Sequence, residues 1–338
     1  MQVKPLLSII IPVYKTQDYL ISCLDSIFVN LDCPEDIQVL VIDDGSPDRA
    51  GELADEYAVE HENVSVIHKT NGGLSSARNE GMRVALGDYM LFLDSDDVLA
   101  PHSIVYLLDL LRDGKYDLIY FEYDRIGENG LSIGPDPLEK KYPDEGPISP
   151  ESLLSLVLDG CIADYAWQYV AKRVLFEDGD IFFPERRNFE DIATTYKVIL
   201  QASNCLVDGH CLVRYRQRPG SILHDNYKGL SASFLDAEEA LCDRVGVIEA
   251  VSPQHVGRAR RSRACFFLWA AWDNHCLPKS RSDEAFASFM RLTDALMIEY
   301  VEKDRRALRL RDMTKYVLIR LRIMDALASF EAHHRRTK

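Results

Sequence analysis

The chain has 338 residues, enough to bury a large core and to form either two domains or one domain with a substantial extension. Its composition, 47% hydrophobic and 28% charged, is that of a soluble globular protein and excludes disordered and fibrous classes. The net charge of −15 is uneven: residues 303–338 carry eleven Lys/Arg against four Asp/Glu, a net of +7 that leaves −22 on residues 1–302, so nucleic acid is not an expected ligand of the body.

In chain order, Leu7 to Val13 is an apolar, β-branched run that reads as a central parallel strand entering a loop at Pro12-Val13-Tyr14. Thr16 is placed to cap a helix carrying Leu20, Cys23, Leu24 and Ile27 on one face. Ile37 to Ile42 predicts a second strand that stops at Asp43-Asp44-Gly45-Ser46, and Val64 to His68 a third. Next, Asn71-Gly72-Gly73-Leu74-Ser75-Ser76-Ala77-Arg78 offers a tight glycine turn, a serine cap at 75 or 76, and an arginine in the first turns of a helix, where an anion can be met. Tyr89 to Leu93 predicts a fourth strand, ending abruptly in Asp94-Ser95-Asp96-Asp97. Two readings of that acidic cluster stand side by side. It is either a metal site at the carboxyl end of a strand, where Mg²⁺ or Mn²⁺ suits hard oxygen ligands, or a solvated turn with Asp97 as N-cap of the helix starting near Pro101.

Asp117 to Tyr123 completes a β-α-β-α-β-α-β-α-β pattern, which predicts a doubly wound, mostly parallel, Rossmann-like sheet flanked by helices. No GxGxxG follows the first strand and no Walker lysine loop occurs, which argues against a dinucleotide oxidoreductase and a P-loop NTPase. Residues 126–150 read as a long loop, and Glu190-Asp191 opens an apolar-periodic helix, where acids are also plain helix caps. Leu212 to Tyr215 predicts a short strand running into Arg216-Gln217-Arg218-Pro219-Gly220-Ser221, whose guanidinium groups and hydroxyl suit a phosphate. From 230 onward, segments 230–250, 253–277, 282–303 and 305–332 read as helices.

The motifs LSIIIPVY, VIDDGS, NGGLSSARN, DYMLFLDSDD and NFED, in that order, resemble the inverting nucleotide-sugar glycosyltransferases of family 2, with the GT-A fold, over about residues 5–225. The resemblance is strongest to bacterial transferases that build capsular, exopolysaccharide or cell-wall glycans. It implies a GT-A catalytic domain over 1–225, with its nucleotide-binding half at about 1–123, and a C-terminal helical region over 226–338. It also implies transfer of a sugar from a nucleotide-sugar donor, a UDP-sugar first, to a glycan or lipid-linked acceptor hydroxyl by direct displacement. By the same resemblance Pro12, Val13, Tyr14, Asp43 and Asp44 hold the base, while Gly73 and Arg78 approach the nucleotide. Asp94 and Ser95 lie toward the ribose, and Asp96 lies toward a diphosphate-bound Mn²⁺ or Mg²⁺, with Asp94 and His224 as further metal candidates. Asp191 is the implied base, with Glu190 beside it; Arg216 and Ser221 close over the diphosphate, and Asp97 has no assigned role. Many relatives carry a Trp-Asn-Lys type segment where this chain has Trp167-Gln168-Tyr169.

An alternative from another class is a nucleotide-sugar-binding partner without transferase activity, inside a polysaccharide assembly complex. The eight scattered cysteines, without a CxxC pair, suit reduced thiols in the cytoplasm; Cys205, His210 and Cys211 lack the paired spacing of zinc sites. No signal peptide is expected, and the longest apolar stretches fall short of the roughly 18 residues of a membrane span. In the tail, Leu310, Met313, Val317, Leu321, Met324 and Ala328 share a face near Arg311, Lys315, Arg320 and Arg322. Such a helix serves packing on the catalytic domain, a homodimer interface, or peripheral contact with the inner face of the plasma membrane.

Overall fold

β1 (Leu7–Val13) is buried along its whole length. This follows from its position, since it pairs in parallel with β2 (Ile37–Asp43) on one side and β4 (Tyr89–Phe92) on the other, while helices cover both faces. The computed structural model describes residues 4–29, 31–134, 145–218, 233–275, 284–304, 312–314 and 316–317, and the chain divides into two compact units, residues 1–218 and 219–338.

The first unit also contains β3 (Val64–His68), β5 (Val98–Leu99), β6 (Leu118–Ile126), β7 (Ser132–Gly134), β8 (Gly146–Ile148), β9 (Tyr169–Lys172) and β10 (Cys205–Arg216). Among the described residues the sheet order is β3-β2-β1-β4-β9-β6-β10-β5, with β7 on β6 and β8 on β10. The long ladders, β1–β2, β2–β3, β1–β4 and β6–β10, are parallel. On one face α1 (Leu20–Ile27), α2 (Ala50–Glu60) and α4 (Ser103–Leu111) close a core with Ile9, Ile11, Val39, Val41, Leu91 and Ile119. On the opposite face α3 (Leu74–Val84) packs on β1 through Gly81, and Phe92 meets Phe176 and Phe183 edge-on. The expected α/β architecture, with a mostly parallel sheet and C-terminal helices, is present.

Several local expectations are corrected. β9 is antiparallel to both neighbours and separates β4 from β6, so the fifth parallel strand does not follow the fourth directly. Residues 126–150 are not an uninterrupted loop, because β7 and β8 pair at its two ends; residues 135–144 lie outside the described residues. β10 begins well before Leu212 and continues through a register shift near Asp208–Cys211, a β-bulge that hides its length from an alternation pattern. Thr16 holds the start of α1 through its carbonyl, which accepts from Tyr19 and Leu20, and not through its hydroxyl. Asp97 is no N-cap: α4 starts at Ser103 after a left-handed His102, and the intervening residues form β5.

Neither Ser75 nor Ser76 caps α3, which begins behind Gly73 at φ 88°. The Gly72 and Gly73 amides donate instead to the Asp44 carboxylate at 2.9 and 2.7 Å, so an acid from the end of β2 faces that helix start. α5 (Pro150–Leu158) is capped by Ser149, and α6 (Arg173–Asp178) leads to α7 (Glu190–Gln201).

The second unit holds α8 (Ser233–Val251), α9 (Val256–His275) and α10 (Glu284–Lys303), where three further helices were expected over 230–303. Phe267, Leu268, Ile248, Met297 and Tyr300 are buried there, and Arg261 pairs with the buried Asp312 at 2.9 Å. Among the described residues no helix is long and apolar enough to cross a membrane. The expected amphipathic tail helix falls almost wholly outside the described residues.

The α3–β1 packing is tight enough to test. A Cβ on Gly81 would stand 2.4 Å from Cγ2 of the fully buried Ile10. Gly81→Ala is therefore expected to destabilise the protein by about 1–3 kcal/mol of overpacking, against the ~1 kcal/mol that alanine ordinarily gains in a helix. Urea unfolding measures the balance, and a stabilised variant would contradict the close approach.

Candidate active site

Parallel strands end on a common edge, and in this sheet the ends of β1, β2 and β4 deliver Tyr14, Asp43-Asp44 and Asp94 to it. Pro12 and Val13 stay buried in β1, whereas Tyr14 emerges 42% exposed at the mouth. The turn after β2 is knitted to the end of β1: the Asp44 amide donates to Val13 O at 2.9 Å and the Lys15 amide to Ser46 Oγ at 3.2 Å. Asp43 accepts from the Ser46 amide at 2.9 Å and pairs with His68 Nδ1 at 2.9 Å, while Nε2 of the same ring meets Asp55. These two carboxylates hold the imidazole above its usual pKa. Asp44 is buried and committed to Lys69 Nζ at 2.6 Å and to the two glycine amides, so it shapes the 69–73 turn.

At the end of β4 the chain makes a tight turn, the Asp97 amide donating to Asp94 O at 2.9 Å. Ser95 is buried and shares a hydroxyl contact of 3.0 Å with Thr16. Asp94 accepts from Arg78 NH2 at 2.9 Å, and Arg78 NH1 donates to Glu190 Oε1 at 2.6 Å. One arginine that is 2% exposed thus joins the acid at the end of β4 to the acid at the start of α7. Its burial opposes the charge, but Asp94, Glu190 and Asp191 outweigh that and keep it cationic.

α7 begins under strain. Its N-cap, Phe189, is a bulky residue at φ 58°, ψ 37°, a conformation that costs on the order of 1–2 kcal/mol for an L residue. The consequence is that Glu190 and Asp191 are turned into the same cluster as Asp94. Asp191 accepts from the Ile192 amide at 2.7 Å. Burial, Glu190 and Asp164 together push its carboxyl well above the ordinary range, only partly offset by Arg78.

The carboxyl end of β10 closes the site. Arg216 donates its amide to Asp97 Oδ1 at 2.7 Å, its Nε to the Asp96 carbonyl at 2.8 Å and its NH1 to the Glu128 carbonyl at 3.0 Å. The side chain that reaches the Asp96 carboxylate is Arg218, through Nε at 2.6 Å. Both guanidinium groups lie over the Tyr19 ring, 5.4 and 5.2 Å from its centroid. Ser221 and His224 lie outside the described residues. Trp167, Gln168 and Tyr169 are buried, and Trp167 packs in a four-ring cluster with Tyr123, Tyr165 and Tyr215.

Every candidate that the structure describes therefore stands at one edge of the sheet or at the α7 start that Arg78 ties to it. Sequence reasoning missed the roles of Lys69, Asp164 and Tyr19, and of the two arginines after β10 it singled out Arg216, whereas both reach Asp96, Arg216 at the carbonyl and Arg218 at the carboxylate. The signal was available in the Arg-Gln-Arg spacing, since alternate residues leaving a strand point the same way.

Residues 8–169 match the family described as Glycosyl transferase family 2. An uncharacterized glycosyltransferase of Bacillus subtilis strain 168, EpsJ, is 32% identical over 225 residues, covering 66% of this chain and 64% of EpsJ. The fold is shared with residues 1–349 of S. aureus TarS in complex with UDP-GlcNAc, at TM-score 0.63 and 19% identity over 98% of this chain and 92% of that one. It is shared less closely with the mannosyltransferase PcManGT from Pyrobaculum calidifontis in complex with GDP-Man and Mn²⁺, at TM-score 0.54 and 15% identity over 96% and 87% of the two chains. Residues 8–169 thus match a Glycosyl transferase family 2 domain, and the fold is of the GT-A type.

Asp97 supplies a test of the electrostatics. It is fully buried, Oδ2 has no hydrogen-bond partner among the described residues, and burial followed by Asp96 and Asp94 raises its pKa well above the ordinary range. Folding then takes up a proton at pH values above the ordinary Asp range, so stability falls as pH climbs from that range through the folded pKa. Asp97→Asn escapes that loss, and its melting temperature relative to wild type is expected to rise between about pH 5 and about pH 8. Asp97→Ala strands the Arg216 amide and is expected to cost about 1–3 kcal/mol at either pH. A pH-independent difference for Asp97→Asn would contradict the assignment.

Proposed function

We propose that this family 2 glycosyltransferase moves a sugar from a nucleotide-sugar donor, a UDP-sugar first, to a hydroxyl of a glycan or lipid-linked acceptor with inversion, Asp191 acting as base. The observation that carries the reading is the Arg78 bridge. It makes one charge cluster of the acid that ends β4 and the pair that opens α7, so donor-side and acceptor-side groups share a site. The UDP-GlcNAc complex of TarS supports a uridine donor.

Direct displacement requires an acceptor oxygen made nucleophilic, a donor held for attack from behind, and a stabilised leaving diphosphate. Asp191 is suited to the first task. Its raised pKa makes the carboxylate, once ionised, a stronger base than an exposed aspartate. Glu190, held by Arg78, keeps the base oriented through the rigid start of α7. Tyr14 at the mouth and the turn fastened by Asp43 and Asp44 are suited to the base and ribose. Asp94 is suited to the ribose, and the guanidinium groups of Arg216 and Arg218 are suited to the diphosphate.

The donor set also fits a divalent cation. Asp96 offers a hard oxygen, and burial together with Asp94 raises its pKa in spite of the Arg218 contact. Among the described residues no group of three His, Cys, Asp or Glu side chains could hold a metal. Asp96 would therefore hold the ion with donor phosphates completing the shell, as Mg²⁺ and Mn²⁺ accept. Such an ion supplies charge neutralisation of the departing diphosphate. The Mn²⁺ complex of PcManGT supports this reading.

Asp191→Asn is expected to retain donor binding by calorimetry and to lose transfer by about 10²–10⁴-fold, the range for a positioned base. Wild-type turnover would remove Asp191 from the role. Glu190→Gln deletes a charge that raises the Asp191 pKa and leaves Arg78 to lower it. The acid limb of its kcat/KM profile should therefore move to lower pH; an unchanged or higher limb contradicts the coupling. Exhaustive EDTA treatment should abolish transfer and Mn²⁺ should restore it, whereas full activity in EDTA refutes the metal.

A further inference from the structure

The segment leaving β10 is fastened to the acidic turn at several points, and they are not equivalent. The Arg216 amide on Asp97, the Arg216 Nε on the Asp96 carbonyl and the Arg216 NH1 on the Glu128 carbonyl each have a main-chain group on one side. Arg218 Nε on Asp96 Oδ2, at 2.6 Å, is the side-chain to side-chain contact in this set. It can open by rotation about side-chain bonds alone. Its two members are 17% and 19% exposed at the side chain, wet enough to exchange partners and buried enough for the pairing to matter.

Beneath the pair lies a platform. The Arg218 guanidinium sits over the Tyr19 ring, a ring shared with Arg216 and tied by its hydroxyl to Glu128 at 3.3 Å. A guanidinium moving off Asp96 therefore retains a cation–π support on its path. Asp94, the neighbouring acid, is neutralised by Arg78 from the other side and does not compete for Arg218.

From this geometry we infer that Arg218 is an exchangeable counter-ion of Asp96, holding the carboxylate against divalent metal until the nucleotide diphosphate arrives and takes the guanidinium in its place. The inference rests on the metal reading above. The exchange balances charge. Before it, one guanidinium faces one carboxylate; after it, the divalent ion lies between Asp96 and the diphosphate, and the freed guanidinium faces phosphate oxygens, which its planar fork suits better than a single carboxylate oxygen. Metal and nucleotide then enter together, and metal alone binds weakly because it must displace a resident cation. Arg218 is a positioning residue for the metal and a contact for the leaving group.

The two halves predict opposite effects of one substitution. Mn²⁺ binding is read by electron paramagnetic resonance of the free ion, first on the protein alone and then with UDP. Arg218→Gln should bind Mn²⁺ alone about tenfold more tightly than wild type, and should bind UDP at saturating Mn²⁺ about tenfold more weakly, in line with loss of a charge-assisted contact. Arg218→Lys keeps the charge and should leave Mn²⁺ binding to the protein alone near the wild-type level, which separates charge from mere vacancy of the position. Mn²⁺ binding in Arg218→Gln that is unchanged or weaker without nucleotide, or UDP binding that is unchanged, overturns the inference. Wild-type protein that takes up no Mn²⁺ even with UDP overturns instead the metal reading on which it stands. Melting curves of both variants confirm that the folded protein is what is compared.

Discussion

The site depends on a buried arginine. Arg78 is 2% exposed and sits between Asp94 at 2.9 Å and Glu190 at 2.6 Å, and its charge could not be buried there without both acids. Removing one partner of such a buried pair ordinarily costs about 3–5 kcal/mol, chiefly for the charge left behind. The rest of the site inherits its geometry from that demand. α3 must bring Arg78 to the end of β4, and α7 must start where Glu190 can reach it. The strain at Phe189 is a local expense that this pairing offsets.

The same edge of the sheet solves a second electrostatic problem by different means. Asp44 faces the start of α3, where the Gly72 and Gly73 amides would otherwise be open to an anion, and it satisfies them from within the protein. Asp94 has the Arg78 guanidinium and Asp96 the Arg218 guanidinium, whereas Asp97 accepts from the Arg216 amide, and burial followed by Asp96 and Asp94 drives its carboxyl well upward. Acids at this edge are thus graded by partner. Asp191, buried beside Glu190 and Asp164, is likewise held above the ordinary range, as the base role proposed for it requires.

Much of this was legible in the sequence because the determinants are local. Apolar runs such as Leu7–Val13 and Ile37–Ile42 are long and continuous since buried parallel strands have no solvent face, and the acids that stop them necessarily collect at one edge. β9 was not legible. Tyr169–Lys172 is four residues behind a 3₁₀ turn, too short for a period to register, and only its two partner strands define it. Glycine rather than serine at the start of α3 escaped for a related reason, since the Asp44 carboxylate that satisfies those amides is 28 and 29 residues away, just past the end of β2. The Arg-Gln-Arg spacing sends both arginines to one side of the chain leaving β10, but which of them reaches the Asp96 carbonyl and which its carboxylate is set by where β10 ends and by the Asp97 contact to its backbone.

All of these pieces serve one stereochemical claim, that a base on α7 activates an acceptor which attacks the sugar from the face opposite the diphosphate. Proton NMR of the product anomeric centre, formed from an α-linked UDP-sugar and an acceptor the enzyme accepts, tests that claim most directly. A β-linked product is the expected result, and an α-linked product would contradict single displacement and with it the role given to Asp191.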